Sequence, residues 1–197
     1  LVLSCDKYSD LWPIFFDLFE KNWSDCPFDK YLLTNFKKAP SPDFNTINIG
    51  KDRSWSDNLL FAIDKILGKY AYIFLFMDDG FITRVNTKQI VKDIKTFIDL
   101  KGDYMTFINE PKPTKPINQY FGEIEISSKY RATATCALWD ITTLSSLLKK
   151  GESAWGFEIF GSERSIKYSN FYSVYKDRFS YVHGVIKGMW LPSSVKK

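Results

Sequence analysis

At 197 residues, with 45% hydrophobic and 17% aromatic content, the chain has the size and make-up of one folded domain and not of a disordered or low-complexity protein. Its 27 basic and 23 acidic residues are interspersed and leave a net charge of +4, too small a bias to indicate nucleic-acid binding and compatible with an anionic ligand or an anionic membrane surface. No apolar run approaches the ~20 residues of a membrane-spanning helix, and no signal-peptide pattern opens the chain, which begins at Leu1 rather than Met as a trimmed chain would.

Leu1 to Cys5 reads as a first strand, followed by the polar loop SCDKYSD. Ser9 or Asp10 is placed to cap a helix from Leu11 to about Asn22, with Leu11, Ile14, Phe15, Leu18 and Phe19 recurring at helical spacing. Lys30 to Thr34 is a second strand, and Thr46 to Ile49 a third after a proline-bearing loop. The polar stretch GKDRSWS then leads into a helix from about Asp57 to Lys69, with Ser56 as its expected cap and Leu59, Leu60, Ile63, Ile66 and Leu67 as its buried face. Ala71 to Met77 is a continuous apolar run of the kind that forms a strand buried on both faces. Thr87 opens a further helix through Ile90, Val91, Ile94, Phe97 and Ile98, and Asp103 to Ile108 is a strand. Three prolines between Glu110 and Pro116 exclude a helix there. In the less regular second half, Gly122 to Ile126, Ala132 to Leu138, Phe171 to Val174 and Tyr181 to His183 read as strands. Thr142 or Thr143 is the expected cap of a short helix ending at Lys149, Lys150 and Gly151, and Glu152 to Ser165 carries another short helix. Strands alternating with helices imply an α/β domain whose sheet is largely parallel. The three cysteines, Cys5, Cys26 and Cys136, lack CxxC spacing and read as packed thiols of a reducing compartment, here the cytoplasm.

Four clusters carry candidate chemistry. Asp78 and Asp79 follow the apolar strand at once, and two acids at a strand end are costly unless something cationic meets them. Oxygen ligands of this kind suit Mg²⁺ or Mn²⁺, while Asp-Asp-Gly is also ordinary turn chemistry. His183, the only histidine, lies in HGVIKG with Lys187 close by, a set able to meet a metal and a phosphate or simply to form a half-buried turn. Glu158 stands between Phe157 and Ile159, an apolar setting that raises a carboxyl toward general-base range, beside Trp155, a flat wall for a sugar. A plain surface helix with ordinary acids fits the same letters. The loops SCD and KDRSWS place Ser4, Asp6, Lys51, Arg53 and Trp55 at strand ends, where an anion or a ribose suits a helix N-terminus. GxGxxG, P-loop, HExxH and GxSxG motifs are all missing, which removes the anchors for dehydrogenase, NTPase, zincin and serine-hydrolase readings.

Taken in order, these clusters resemble a GT-A glycosyltransferase. FLFMDDG is similar to the family's DxD-type signature without its intervening residue, and HGVIKGMW to the late histidine and lysine segment of some GT-A families. SCDKYSDLW, WSDNLL and GESAWGFEIFGSERS resemble small bacterial or viral transferases that build polysaccharides or glycans, and the resemblance covers nearly the whole chain. It implies a single GT-A (Rossmann-like) α/β domain over residues 1–197, with a mixed, mostly parallel sheet flanked by helices. Residues 1–110 would form the nucleotide-binding half and residues 111–197 the acceptor-binding half. The implied reaction moves a sugar from a nucleotide-sugar, a UDP-sugar by preference, to a glycan or lipid-linked sugar acceptor, with inversion and Glu158 as general base. Mn²⁺ or Mg²⁺ would be held by Asp78, Asp79 and His183, and the donor by Ser4, Asp6, Arg53, Trp55, Asp78 and Lys187. No nucleic-acid partner is expected, and peripheral membrane association is compatible with this reading. A sugar-phosphate nucleotidyltransferase is the next alternative, although SCDKYSD lacks the expected glycines. A non-catalytic carbohydrate-binding domain is the third; the aromatic richness alone allows it, and a structure in which Asp79, His183 and Glu158 do not share a cleft would favour it.

Overall fold

The computed structural model describes residues 1–66, 68–186 and 189–190. Its first half follows the expected alternation: β1 (Val2–Leu3), α1 (Trp12–Trp23), β2 (Lys30–Thr34), β3 (Phe44–Asn48), α2 (Trp55–Ile66) and β4 (Tyr72–Met77). A strand the sequence did not announce, β5 (Gly80–Val85), comes next, followed by α3 (Thr87–Asp99) and β6 (Tyr104–Thr106). The second half adds β7 (Lys115–Pro116), β8 (Phe121–Glu123), β9 (Ala137–Asp140), α4 (Ile141–Leu147), β10 (Phe171–Val174) and β11 (Phe179–His183). Between α4 and β10 a continuous helical segment runs through Ala154–Gly156, a π-turn Phe157–Gly161, Ser162–Arg164 and a 3₁₀ turn Ser165–Lys167. A short hairpin, Val185–Ile186 with Met189–Trp190, follows β11, and Leu67 and Lys187 lie outside the described residues.

Nine strands make one mixed sheet in the order β3-β2-β1-β4-β9-β6-β10-β8-β7, in which only β9 and β8 run against the rest. The sheet is therefore mostly parallel, and β9, from late in the chain, is wedged between β4 and β6. Helices α1 and α3 cover one face over an aromatic core that includes Phe15, Phe19, Trp23, Phe76, Phe97 and Phe179. Helices α2 and α4 and the helical segment cover the other, over Leu59, Ile63, Leu75, Trp139 and Phe157. Burial of this kind is worth roughly 25 cal/mol per Å² of apolar surface and carries the fold.

Several local expectations are corrected. α1 starts without a side-chain cap from Ser9 or Asp10, because a 3₁₀ turn, Asp6–Tyr8, runs almost directly into it. Its buried stripe is Trp12, Phe15, Phe19 and Trp23, and Ile14 is exposed. Ser54, not Ser56, caps α2 by accepting from the Asp57 N–H at 3.0 Å; Ser56 is buried and donates to the Lys149 carbonyl at 2.5 Å. Asp140, rather than Thr142 or Thr143, caps α4 through the Thr143 N–H at 2.8 Å. On α3 the inward positions are Ile90, Asp93 and Phe97, since Asp93 turns in to meet buried Arg178 at 2.7 Å, leaving Val91 and Ile98 exposed. The expected strand 132–138 is largely a loop. Cys136 takes a left-handed φ of 51°, and the Ala132 and Ala134 amides bond the helical segment instead of a neighbouring strand.

Candidate active site

β1 has β2 on one side and β4 on the other, so the chain's winding reverses between β1 and β4. In open α/β sheets the carboxyl ends at such a switch point form the ligand crevice. The loops that leave β1, β2 and β3 are tied together there. The Asp6 carboxylate accepts from the amides of Asn35, Phe36 and Lys37 at 3.1–3.3 Å. Asn35 in return accepts from the Asp6 N–H at 2.8 Å and donates to the Gly50 carbonyl at 3.1 Å. Phe36, beside this knot, is 72% exposed, an apolar ring held at the crevice rim.

Asp78 and Asp79 stand where β4 ends. Asp78 is 4% exposed, and its carboxyl accepts from Ser4 Oγ, which itself accepts from Trp12 Nε1 at 2.7 Å. Burial pushes the Asp78 carboxyl up to about 7, with the Asp79 charge adding to the effect and the Ser4 hydroxyl opposing it. No lysine or arginine among the described residues pairs with it. Asp79 is less buried; burial raises its carboxyl too, and nearby His183 pulls it back down. That histidine arrives through β11, which pairs antiparallel with β5 so that His183 lies opposite Gly80. The Gly184 N–H donates to the Asp79 carbonyl at 2.9 Å, locking the two segments together. β5 and its partner lie almost a hundred residues apart in sequence, which is why this contact was not legible from either segment.

Glu158 reaches the same edge of the sheet. Its Oε1 accepts from the Ala134 N–H at 2.9 Å. Ala134 leads into β9, whose first residue Ala137 pairs with Leu75 on β4, three residues before Asp78. Because β9 is antiparallel, the loop that enters it lies with the carboxyl end of β4. Burial raises the Glu158 carboxyl, opposed by the Ala134 amide. Tyr181, a residue the sequence reading passed over, lies between the two centres: after burial, the charges of Cys136, Asp79 and Glu158 help push its phenol up to about 12. Trp55, first in α2, packs against Phe157 at 5.3 Å between ring centroids, and its indole N–H is buried without a partner among the described residues. Arg53 is exposed beside it, and Lys187 is outside the described residues.

No protein-family model matches the chain, and no curated protein matches it by sequence. Solved structures do resemble it. Residues 1–349 of TarS from S. aureus superpose with a TM-score of 0.58 at 9% identity, covering 90% of this chain and 58% of that one. A197 from STIV superposes with a TM-score of 0.52 at 10% identity, covering 94% of this chain and 85% of that one. The fold is GT-A-like. At such identities the likeness is one of fold, and this chain spans little more than half of the TarS fragment.

Within this GT-A-like fold, Ser4, Asp6, Asp78, Asp79 and Glu158 all lie at one sheet edge, with His183 beside Asp79. Among the described residues no group of three or more His, Cys, Asp and Glu side chains is gathered as a ready metal cage. Two adjacent carboxylates, one of them without a cationic partner, fit a hard cation that takes its remaining ligands from water and phosphate oxygens.

Proposed function

We propose that the chain is a metal-dependent glycosyltransferase that moves a hexosyl group from a nucleotide-sugar, preferentially a UDP-sugar, to a hydroxyl of a glycan or lipid-linked acceptor. The observation that carries this reading is the placement of buried, partly uncompensated Asp78 and Asp79 at the switch point, with Glu158 at the same edge. Asp79, with Asp78 and His183, would hold Mn²⁺ or Mg²⁺, which supplies Lewis-acid neutralisation of the leaving diphosphate. Ser4, Asp6, Arg53 and Trp55 line the nucleotide side, and exposed Phe36 offers a ring for the base. Glu158 takes the acceptor proton as the acceptor oxygen bonds to the anomeric carbon and the bond to the diphosphate breaks on the opposite face. Inversion follows from that opposition. Burial suits Glu158 to this work, since a base acts best with its pKa moved toward the working pH. The donor half is then 1–110 and the acceptor half 111–197.

Titration calorimetry with UDP and Mn²⁺ tests the reading. Saturable binding that needs the cation and falls at least tenfold in Asp79→Ala is expected, that factor being about 1.4 kcal/mol. Binding indifferent to Mn²⁺ or to that substitution overturns it.

A further inference from the structure

The amino ends of β1, β2 and β4, opposite the candidate active site, border a cavity of about 470 Å³. That volume falls inside the roughly 300–1,000 Å³ range of small-molecule sites. Phe19, Trp23, Phe28, Phe44, Phe74 and Phe76 contribute to its wall, with Ile94 and Ile98 from the last turns of α3. Protein interiors are close-packed, so an empty space of this size forfeits contacts that its lining would otherwise make. Water fills it poorly, because a held water needs about two to four polar partners and this wall is mostly rings and aliphatic chains. A hydrocarbon body is the occupant that restores those contacts.

The polar groups of the lining select among hydrocarbon bodies. Asp29 already accepts from the Tyr70 hydroxyl, whose oxygen lies 3.0 Å from that of Tyr31, and Tyr31 accepts from Lys69 at 2.9 Å. Lys30 is left over. It is half-buried on the lining, its charge is felt by the Cys26 thiol on the same lining, and its ammonium makes no hydrogen bond or ion pair among the described residues. A partly buried cation beside an apolar wall is best met by an anion. We propose that this cavity binds a small amphipathic carboxylate, with its apolar chain among the rings and its head group on the Lys30 ammonium. A wholly apolar molecule leaves that ammonium unmet, and a sugar brings more hydroxyls than the wall has partners for. A second copy of the chain is a poorer occupant, since it would have to thread an apolar element into a concave space. The proposal stands apart from the glycosyl-transfer reading, whose Ser4 and Asp78 follow the other ends of β1 and β4.

Titration calorimetry with decanoate, kept below its micelle concentration, tests the proposal. A single saturable site is expected, and octanoate, shorter by two methylenes, should bind roughly tenfold more weakly. Lys30→Gln should weaken decanoate about fivefold, the scale of a partly exposed ion pair, and leave the uncharged decanol unchanged. Ile98→Asp, at a position 44% exposed and so tolerant of a polar side chain, sets a carboxylate beside the chain and should weaken both ligands roughly tenfold or more. Absence of saturable decanoate binding overturns the proposal. So does a Lys30→Gln variant that loses no more affinity for decanoate than for decanol, or an Ile98→Asp variant that binds as the parent does. Both variants should retain Mn²⁺-dependent UDP binding if the glycosyl-transfer reading holds. Decanoate binding of the expected pattern without any UDP binding leaves this inference standing and removes the glycosyl-transfer one.

Discussion

Asp78 is a carboxyl pushed up to about 7 by burial, with the charge of neighbouring Asp79 adding to the effect. The folded state therefore holds the Asp78 proton more tightly than the unfolded chain, where a carboxyl titrates near ~3.9. Its contribution to stability is present below that ordinary value and is lost as pH rises to about 7. In metal-free protein the full loss is on the order of 4 kcal/mol, and Asp78→Asn, which keeps an acceptor for Ser4, should gain more melting temperature over the parent at about pH 8 than at about pH 5. Parallel melting profiles across that range would sink the assignment. Glu158 makes a different prediction. Glutamine keeps an oxygen for the Ala134 amide, so Glu158→Gln should fold normally and bind the donor as the parent does. Transfer should fall by about 10²–10⁴ in initial-rate assays, the usual worth of a general base. A variant of undiminished rate would take the role away from Glu158.

At the scale of elements, the β5–β11 pair is what brings His183 to Asp79. Its weakest point sterically is Gly184, where an added Cβ would lie 2.2 Å from the Phe81 ring while the Gly184 N–H is bonded to Asp79. Gly184→Ala should cost about 1–3 kcal/mol in urea unfolding, the usual penalty of overpacking, and should weaken Mn²⁺-dependent UDP binding as β11 shifts. An alanine variant that binds as the parent does would separate the pairing from the site. β5 was hidden in the sequence because GFITRV has no local partner; the periodicity of α1–α3 was plain because a helix satisfies its backbone within itself. For the same reason the caps misled. Ser56 and Thr143 have the right side chains, but Ser56 is drawn to Lys149 and Thr143 Oγ1 to Asp103 by tertiary contacts.

At the scale of the molecule, Arg131 couples the sheet to the segment that carries Glu158. Fully buried, it donates to the Ser165 carbonyl at 2.7 Å, to Ser165 Oγ at 2.9 Å and to the Tyr168 carbonyl at 2.8 Å, and lies 4.1 Å from the Phe171 ring centre. Burial lowers its pKa, so the charge itself is unfavourable there; the hydrogen bonds oppose that cost. Removing them leaves the Tyr168 carbonyl without its guanidinium donor, at about 1–3 kcal/mol, while the Ser165 carbonyl keeps the Tyr168 N–H at 2.9 Å. Arg131→Met should therefore lose on the order of 2 kcal/mol in denaturant unfolding and speed amide exchange across 154–167. Unchanged exchange there would show that the segment is held by other contacts.

The letters of the chain were enough for the alternation of β1 to β4 and for α3, for Lys30–Thr34 and Phe171–Val174 as strands, and for the acids at the end of β4, because apolar runs and helical periods are local properties. They also singled out Glu158 and His183. Only the tertiary structure decided that β9 enters between β4 and β6, that β5 pairs with β11, and that Ser4, Asp78, Asp79, His183 and Glu158 gather at one edge of the sheet. Strand order is set by which distant surfaces bury one another, and loops such as 131–136 take their conformation from side chains met only after folding. So the two acids were visible in the sequence, whereas the near-total burial of Asp78 and the company of Ser4 and Trp12 were not.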